Sequence, residues 1–202
     1  MLLLTTFLPY MMAALSLAIL LLSRIRIAIV LLVVQYFLAF AISSSTQPLR
    51  TILARLVGGF LVCLILFTSQ RRFSRGLTFI HANVLPRSPW FRLITSMIVV
   101  LVAIAIAFQT NQFSATFEAN IFLGAVINLC MGALMLGLYQ TPLEAAIGLL
   151  TLLIGFDLFY GAIEPSLAIV ALLISIQVII ALATSYIMSI THNKVIQEES
   201  AP

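Results

Sequence analysis

Residues 149–165, LLTLLIGFDLFYGAIEP, decide how the rest of the chain is read. An apolar run reaches Asp157 and continues past it, and a Glu-Pro pair closes the segment. Such a run is made for lipid, yet it carries a carboxylate. A charged side chain in hydrocarbon is expensive, so it needs a partner, a proton or a path to water.

Composition sets the frame for that question. Of 202 residues, 63% are hydrophobic and 8% are charged, and the mean hydropathy is +1.22. A soluble domain is about one quarter charged. The chain therefore reads as all-α, a polytopic membrane bundle of about seven transmembrane helices. Apolar runs this long exceed what barrel strands need, and helices satisfy their own backbone in lipid. The formal charge of +4 does not indicate nucleic acid, because the arginines gather mostly in the breaks between apolar runs. Cys63 and Cys130 lie inside such runs and read as small apolar residues. The first segment lacks a basic leader and an Ala-x-Ala site, so it reads as a retained span.

A spanning helix takes about 20 apolar residues. The expected spans are 3–22, 27–43, 52–69, 93–110, 117–138, 143–162 and 166–189. Arg24 and Arg26 mark a tight turn between the first two spans rather than one overlong helix. The long break before the fourth span holds five arginines, with room for an interfacial helix anchored by Trp90. Pro142 and Pro165 suit helix starts. Arg24, Arg26, the long break and Lys194 fall on one side, Arg50 and Arg55 on the other. The positive-inside rule then puts the N-terminus outside and the C-terminus in the cytoplasm. Three regions are expected: 1–110 with four spans, 111–190 with three, and 191–202 as a polar, disordered cytoplasmic tail. All the arginine lies in the first region, and every acidic residue follows it.

Asp157 reads either as a packing device bonded to Tyr160 or Tyr139, or as a protonatable group on an ion path. The second is the default for an intramembrane ionisable residue. Gly155 and Gly161 would let a neighbouring helix approach. Asn128 and Gln177 lie deep in the fifth and seventh spans, and Gln35 and Tyr36 lie in the second. One hydrated polar layer joining Asp157, Asn128 and Gln177 is the expectation, against separate interhelical hydrogen bonds. Glu118 and Glu144 sit at helix starts, where carboxylates are favoured, and Glu164 sits at a helix end. All three remain candidates for the path. His81 and His192 are isolated, and no metal, phosphate-loop or dithiol motif is apparent.

The segment LLTLLIGFDLFYGAI resembles the second helix of the small K subunit of respiratory complex I, with Asp157 at the position of a membrane carboxylate that is normally Glu. The next segment, ALLISIQVIIALATSYI, resembles that family's third helix, with Gln177 where a second Glu is common. The arginine break and internal glutamine of LLLSRIRIAIVLLVVQYFLAF extend the likeness to the E subunit of hydrogenase-4 and formate hydrogenlyase complexes. The resemblance implies a noncatalytic subunit of the cell inner membrane that moves protons or sodium. It implies antiporter-like partner subunits and a hydrophilic redox arm, with any iron–sulfur or nickel–iron centres in those partners and no cofactor here. Gln177 cannot titrate, so a two-carboxylate relay would be incomplete. A purely structural scaffold, or a stand-alone transporter of a small solute, are the alternative readings.

Overall fold

The computed structural model describes residues 2–22, 25–44, 47–73, 89–111, 119–139, 141–163 and 166–199. These form seven helices: α1 (Leu2–Leu21), α2 (Ile25–Ser43), α3 (Leu49–Phe73), α4 (Pro89–Asn111), α5 (Ala119–Leu138), α6 (Pro142–Ile163) and α7 (Leu167–Glu199). Helices α2 to α7 are each long and apolar enough to cross a bilayer. In α1 the apolar stretch with described side chains is Phe7–Leu21. The expected polytopic membrane bundle is thus what the chain forms.

Several boundaries differ from the sequence reading by a few residues, and two of the differences change how a segment is read. The third helix begins at Leu49, three residues before the expected 52, which draws Arg55 well inside it. The last helix runs to Glu199, so most of the segment expected to be a disordered tail is helical. Nothing in THNKVIQEE breaks a helix, for it has neither Gly nor Pro. The expected interfacial helix falls at 74–88, outside the described residues. Trp90 is exposed in the first turn of α4.

Packing is uneven. The α5–α6 pair is the most intimate in the bundle, and α3 packs chiefly on α7 and α2. The cause is glycine. A Cβ on Gly155 of α6 would lie 2.6 Å from the Leu129 nitrogen and 2.8 Å from the Ala125 carbonyl oxygen of α5. Gly148, two turns earlier, would meet Met135 Cβ at 2.9 Å. In the reverse direction, Gly132 of α5 faces the backbone of Leu152. Small residues let two backbones approach, which is the main source of helix affinity where lipid removes the hydrophobic drive. The core of Leu123, Ile127, Met131, Leu150, Ile154 and Leu158 closes around this seam.

The seam gives a contrast to measure. Gly155→Val puts a branched side chain against backbone that has no rotamer to yield. It should cost about 1–3 kcal/mol or more, as overpacking does. Gly137→Ala, at a position with nothing within 4 Å, should be neutral or slightly stabilising. Unfolding of the purified chain in mixed micelles checks both.

Candidate functional site

Asp157 is the only aspartate in the chain, and its partner is neither tyrosine. Arg55 Nε lies 3.0 Å from Asp157 Oδ2, with the two side chains 9% and 14% exposed. Arg55 stands six residues into α3, and Asp157 six residues before the end of α6. At 1.5 Å per residue each is about 9 Å from its helix end. Two charges at matched depth in an apolar bundle attract each other, which offsets part of the desolvation penalty either would bear alone.

The rest of the guanidinium is also engaged. Arg55 Nη1 donates to Gln47 Oε1 at 2.5 Å, and Nη2 donates to the Asp157 backbone carbonyl at 3.3 Å. Gln47 comes from the connection between α2 and α3 and is buried. Room for this cluster comes from Gly161, one turn after Asp157 on the same face. A Cβ there would run into Arg55 Nη2 and lie 2.6 Å from Gln47 Nε2. The two glycines near Asp157 therefore have different tasks. Gly155 admits a helix, as expected, whereas Gly161 admits an arginine side chain.

Beside the pair lies a cavity of about 20 Å3. Tyr36, Ala39 and Ser43 of α2, Arg55 of α3, and Ile154 and Asp157 of α6 contribute to its lining. Tyr36 also reaches α7, its hydroxyl donating to Gln177 Oε1 at 3.1 Å. The Tyr36 ring lies against Gly59 of α3, where a side chain would displace it.

Asn128 belongs to a second cluster. Ser16 of α1, Gln35 of α2 and Asn128 of α5 are all fully buried. Gln35 Nε2 donates to Asn128 Oδ1 and contacts Ser16 Oγ at 3.0 Å, and Ser16 Oγ donates to Asn128 Oδ1 at 3.2 Å. Asn128 Nδ2 donates to the Gly124 carbonyl one turn back, at 2.9 Å. The expected single layer is thus resolved into three bonded groups: Asp157 with Arg55, Gln177 with Tyr36, and Asn128 with Gln35 and Ser16. The last two are linked only by adjacency of Gln35 and Tyr36 along α2.

Of the remaining candidates, Glu144 sits in the first turn of α6, where its N–H donates to Thr141 Oγ1 at 3.3 Å. That is an N-cap by threonine, with glutamate at the third helical position. Thirteen residues separate Glu144 from Asp157, roughly 20 Å along the helix. Glu118 and Glu164 lie outside the described residues, as does His81.

Arg55 and Gln47 were the functional residues that sequence reasoning missed. The charge count along the chain groups Arg55 with the loop arginines, although it is the one basic residue within the seven expected spans. A lone cation and a lone interior aspartate in two apolar runs were the signal that could have paired them.

No protein-family model, no curated protein and no solved structure matches the chain.

The pair should behave as a unit. Arg55→Gln or Asp157→Asn alone leaves a buried charge without its counter-charge and should cost about 3–5 kcal/mol. The Arg55→Gln/Asp157→Asn double variant keeps polar groups on both helices and should cost much less than the sum of the two. A double-mutant cycle on unfolding free energy checks this, and simple additivity would contradict it.

Proposed function

We propose that this chain is a noncatalytic membrane subunit of a proton- or cation-translocating assembly, with the Arg55–Asp157 pair as its ionisable centre. The observation that carries the reading is a carboxylate about 9 Å inside the bundle, held by one arginine. Its second oxygen, Oδ1, is buried without a hydrogen-bond partner among the described residues. A carboxylate used only as a clamp has no need of an oxygen left uncommitted. The likeness of the Asp157 segment to the complex I K subunit, extended by the arginine break and Gln35 to the hydrogenase-4 E subunit, supports the same class. On this reading the partners are antiporter-like membrane subunits and a hydrophilic redox arm that holds the metal centres.

We place the assembly in the cell inner membrane, N-terminus outside and C-terminus in the cytoplasm. Support comes from Arg26 at the start of α2, Arg71 near the end of α3 and Arg92 near the start of α4. With consecutive helices running antiparallel, these three share one face, and the positive-inside rule makes it cytoplasmic. The Arg55–Asp157 pair then lies toward the outer face.

A structural scaffold is the second reading. What favours it is that Arg55 ties α3 to α6 through two contacts and to the α2–α3 connection through a third.

Two measurements separate these. First, the chain extracted in mild detergent should co-purify with several long membrane subunits; migration alone would overturn both readings. Second, the Arg55→Gln/Asp157→Asn double variant should assemble normally yet lose ion translocation, with electron transfer retained. Full translocation in that variant would defeat the ion-coupling reading and leave the scaffold. A single Asp157→Asn change is the poorer test, because it strands Arg55.

A further inference from the structure

We propose that the cavity between α2, α3 and α6 is a binding site for one ordered water molecule, which hydrogen-bonds the Asp157 carboxylate and links it to Tyr36. The inference rests on the geometry of the ion pair and the cavity beside it, and stands or falls apart from the subunit reading.

Size comes first. A cavity of about 20 Å3 exceeds the roughly 10–15 Å3 that a single water requires, and such a water needs two to four polar partners. Purely apolar cavities of this kind stay dry. This one is bordered by Tyr36, Ser43, Arg55 and Asp157, so partners of both signs are at hand.

The donor and acceptor inventory fits as well. Asp157 Oδ2 faces Arg55 Nε, and Oδ1 has no hydrogen-bond partner among the described residues. An ionised carboxylate only accepts, so Oδ1 calls for a donor. Asp157 itself borders the cavity, and its carboxylate torsion is soft. The Tyr36 hydroxyl spends its proton on Gln177 Oε1 and keeps lone pairs to accept with. Each of Arg55 Nη1 and Nη2 has a second hydrogen beyond those given to Gln47 and to the Asp157 carbonyl. A water has two donors and accepts readily. It therefore gives one hydrogen to Asp157 and one to Tyr36, and accepts from Arg55. Leaving a buried carboxylate oxygen without this partner would carry a desolvation penalty of the kind buried polar groups avoid.

The consequence is connection. Asp157 and Gln177 share no direct bond, but the water makes Asp157–water–Tyr36–Gln177 one hydrogen-bonded series running from α6 through α2 to α7. Tyr36 becomes a positioning residue for the carboxylate.

Because Asp157 is the only aspartate, labelling gives a single-site test. The full chain is made by cell-free synthesis with 13C-aspartate, reconstituted in lipid bilayers, and studied by water-edited solid-state NMR. Magnetisation from water should build up rapidly at the Asp157 carboxyl carbon. Ala39→Val, which fills the cavity from α2, should slow that build-up several-fold. Tyr36→Phe, which removes one of the water's partners and keeps the ring against Gly59, should slow it to a smaller extent. Thermal unfolding of each variant verifies that it is folded, and the wild-type measurement is decisive without them. No rapid build-up in the wild-type chain, or equal build-up in Ala39→Val, would overturn the site. Loss in Ala39→Val with Tyr36→Phe unchanged would overturn the link to Tyr36.

Discussion

A guanidinium and a carboxylate largely buried from bulk water must find each other, and the rest of the bundle is arranged around that requirement. Either charge alone in a low-dielectric interior is penalised far more than a neutral polar group. As a pair, Arg55 and Asp157 give little net stability over apolar residues of equal size, because desolvation offsets their attraction. Their effect is on arrangement. A sliding of α3 against α6 by one turn would move the partners about 5.4 Å apart along the axis and strand both. The contact thus fixes the relative depth of two helices separated by 102 residues between the bonded positions. Gln47 then ties the α2–α3 connection to the same point.

The two ways of joining helices in this bundle differ in kind. Between α5 and α6, glycines allow backbone to lie on backbone, and dispersion over a long contact holds the pair. Toward α3, the contact is made by a long polar side chain reaching over Gly161. Helix α2 mediates between these regimes. Its consecutive residues Gln35 and Tyr36 point about 100° apart around the helix. One bonds toward α1 and α5, the other toward α7. The two donors find separate acceptors because they diverge. Had they shared a face, two buried donors would have competed for the same acceptors.

The fold was largely legible because membrane spans are written as length and apolarity, and both are local properties. Asp157 was legible for the same reason, since a carboxylate stands out in an apolar run. Its partner was not. Arg55 lies within a turn or two of a loop, where arginine is ordinary, and nothing local distinguishes an arginine that snorkels outward from one that turns inward. The decision is made by Gly161, distant in sequence, which leaves space on α6. Pairings among Ser16, Gln35 and Asn128 depend in the same way on which helices become neighbours. Depth along each span suggested one polar layer. Direction around each helix divided it, and a span that is apolar on nearly every face conceals that direction.

The pairing also bears on which ion the proposed assembly would move. A metal cation at Asp157 would sit close to a tethered guanidinium whose charge is permanent. Like charges a few ångströms apart in such a medium repel by several kcal/mol, on the order of 4 kcal/mol at 4 Å for an effective dielectric constant of 20. It would also need several oxygen ligands, and Arg55 already occupies one of the carboxylate oxygens and the Gln47 amide oxygen. A proton faces neither demand. It needs one lone pair, and Oδ1 has one uncommitted. Adding it neutralises the carboxylate without bringing a second heavy atom into the cluster. Arg55 keeps its bonds to Gln47 and to the Asp157 carbonyl meanwhile, so the guanidinium remains held while its counter-charge is absent. Within the proposed function, an arginine anchored independently of the carboxylate is therefore suited to protons rather than sodium.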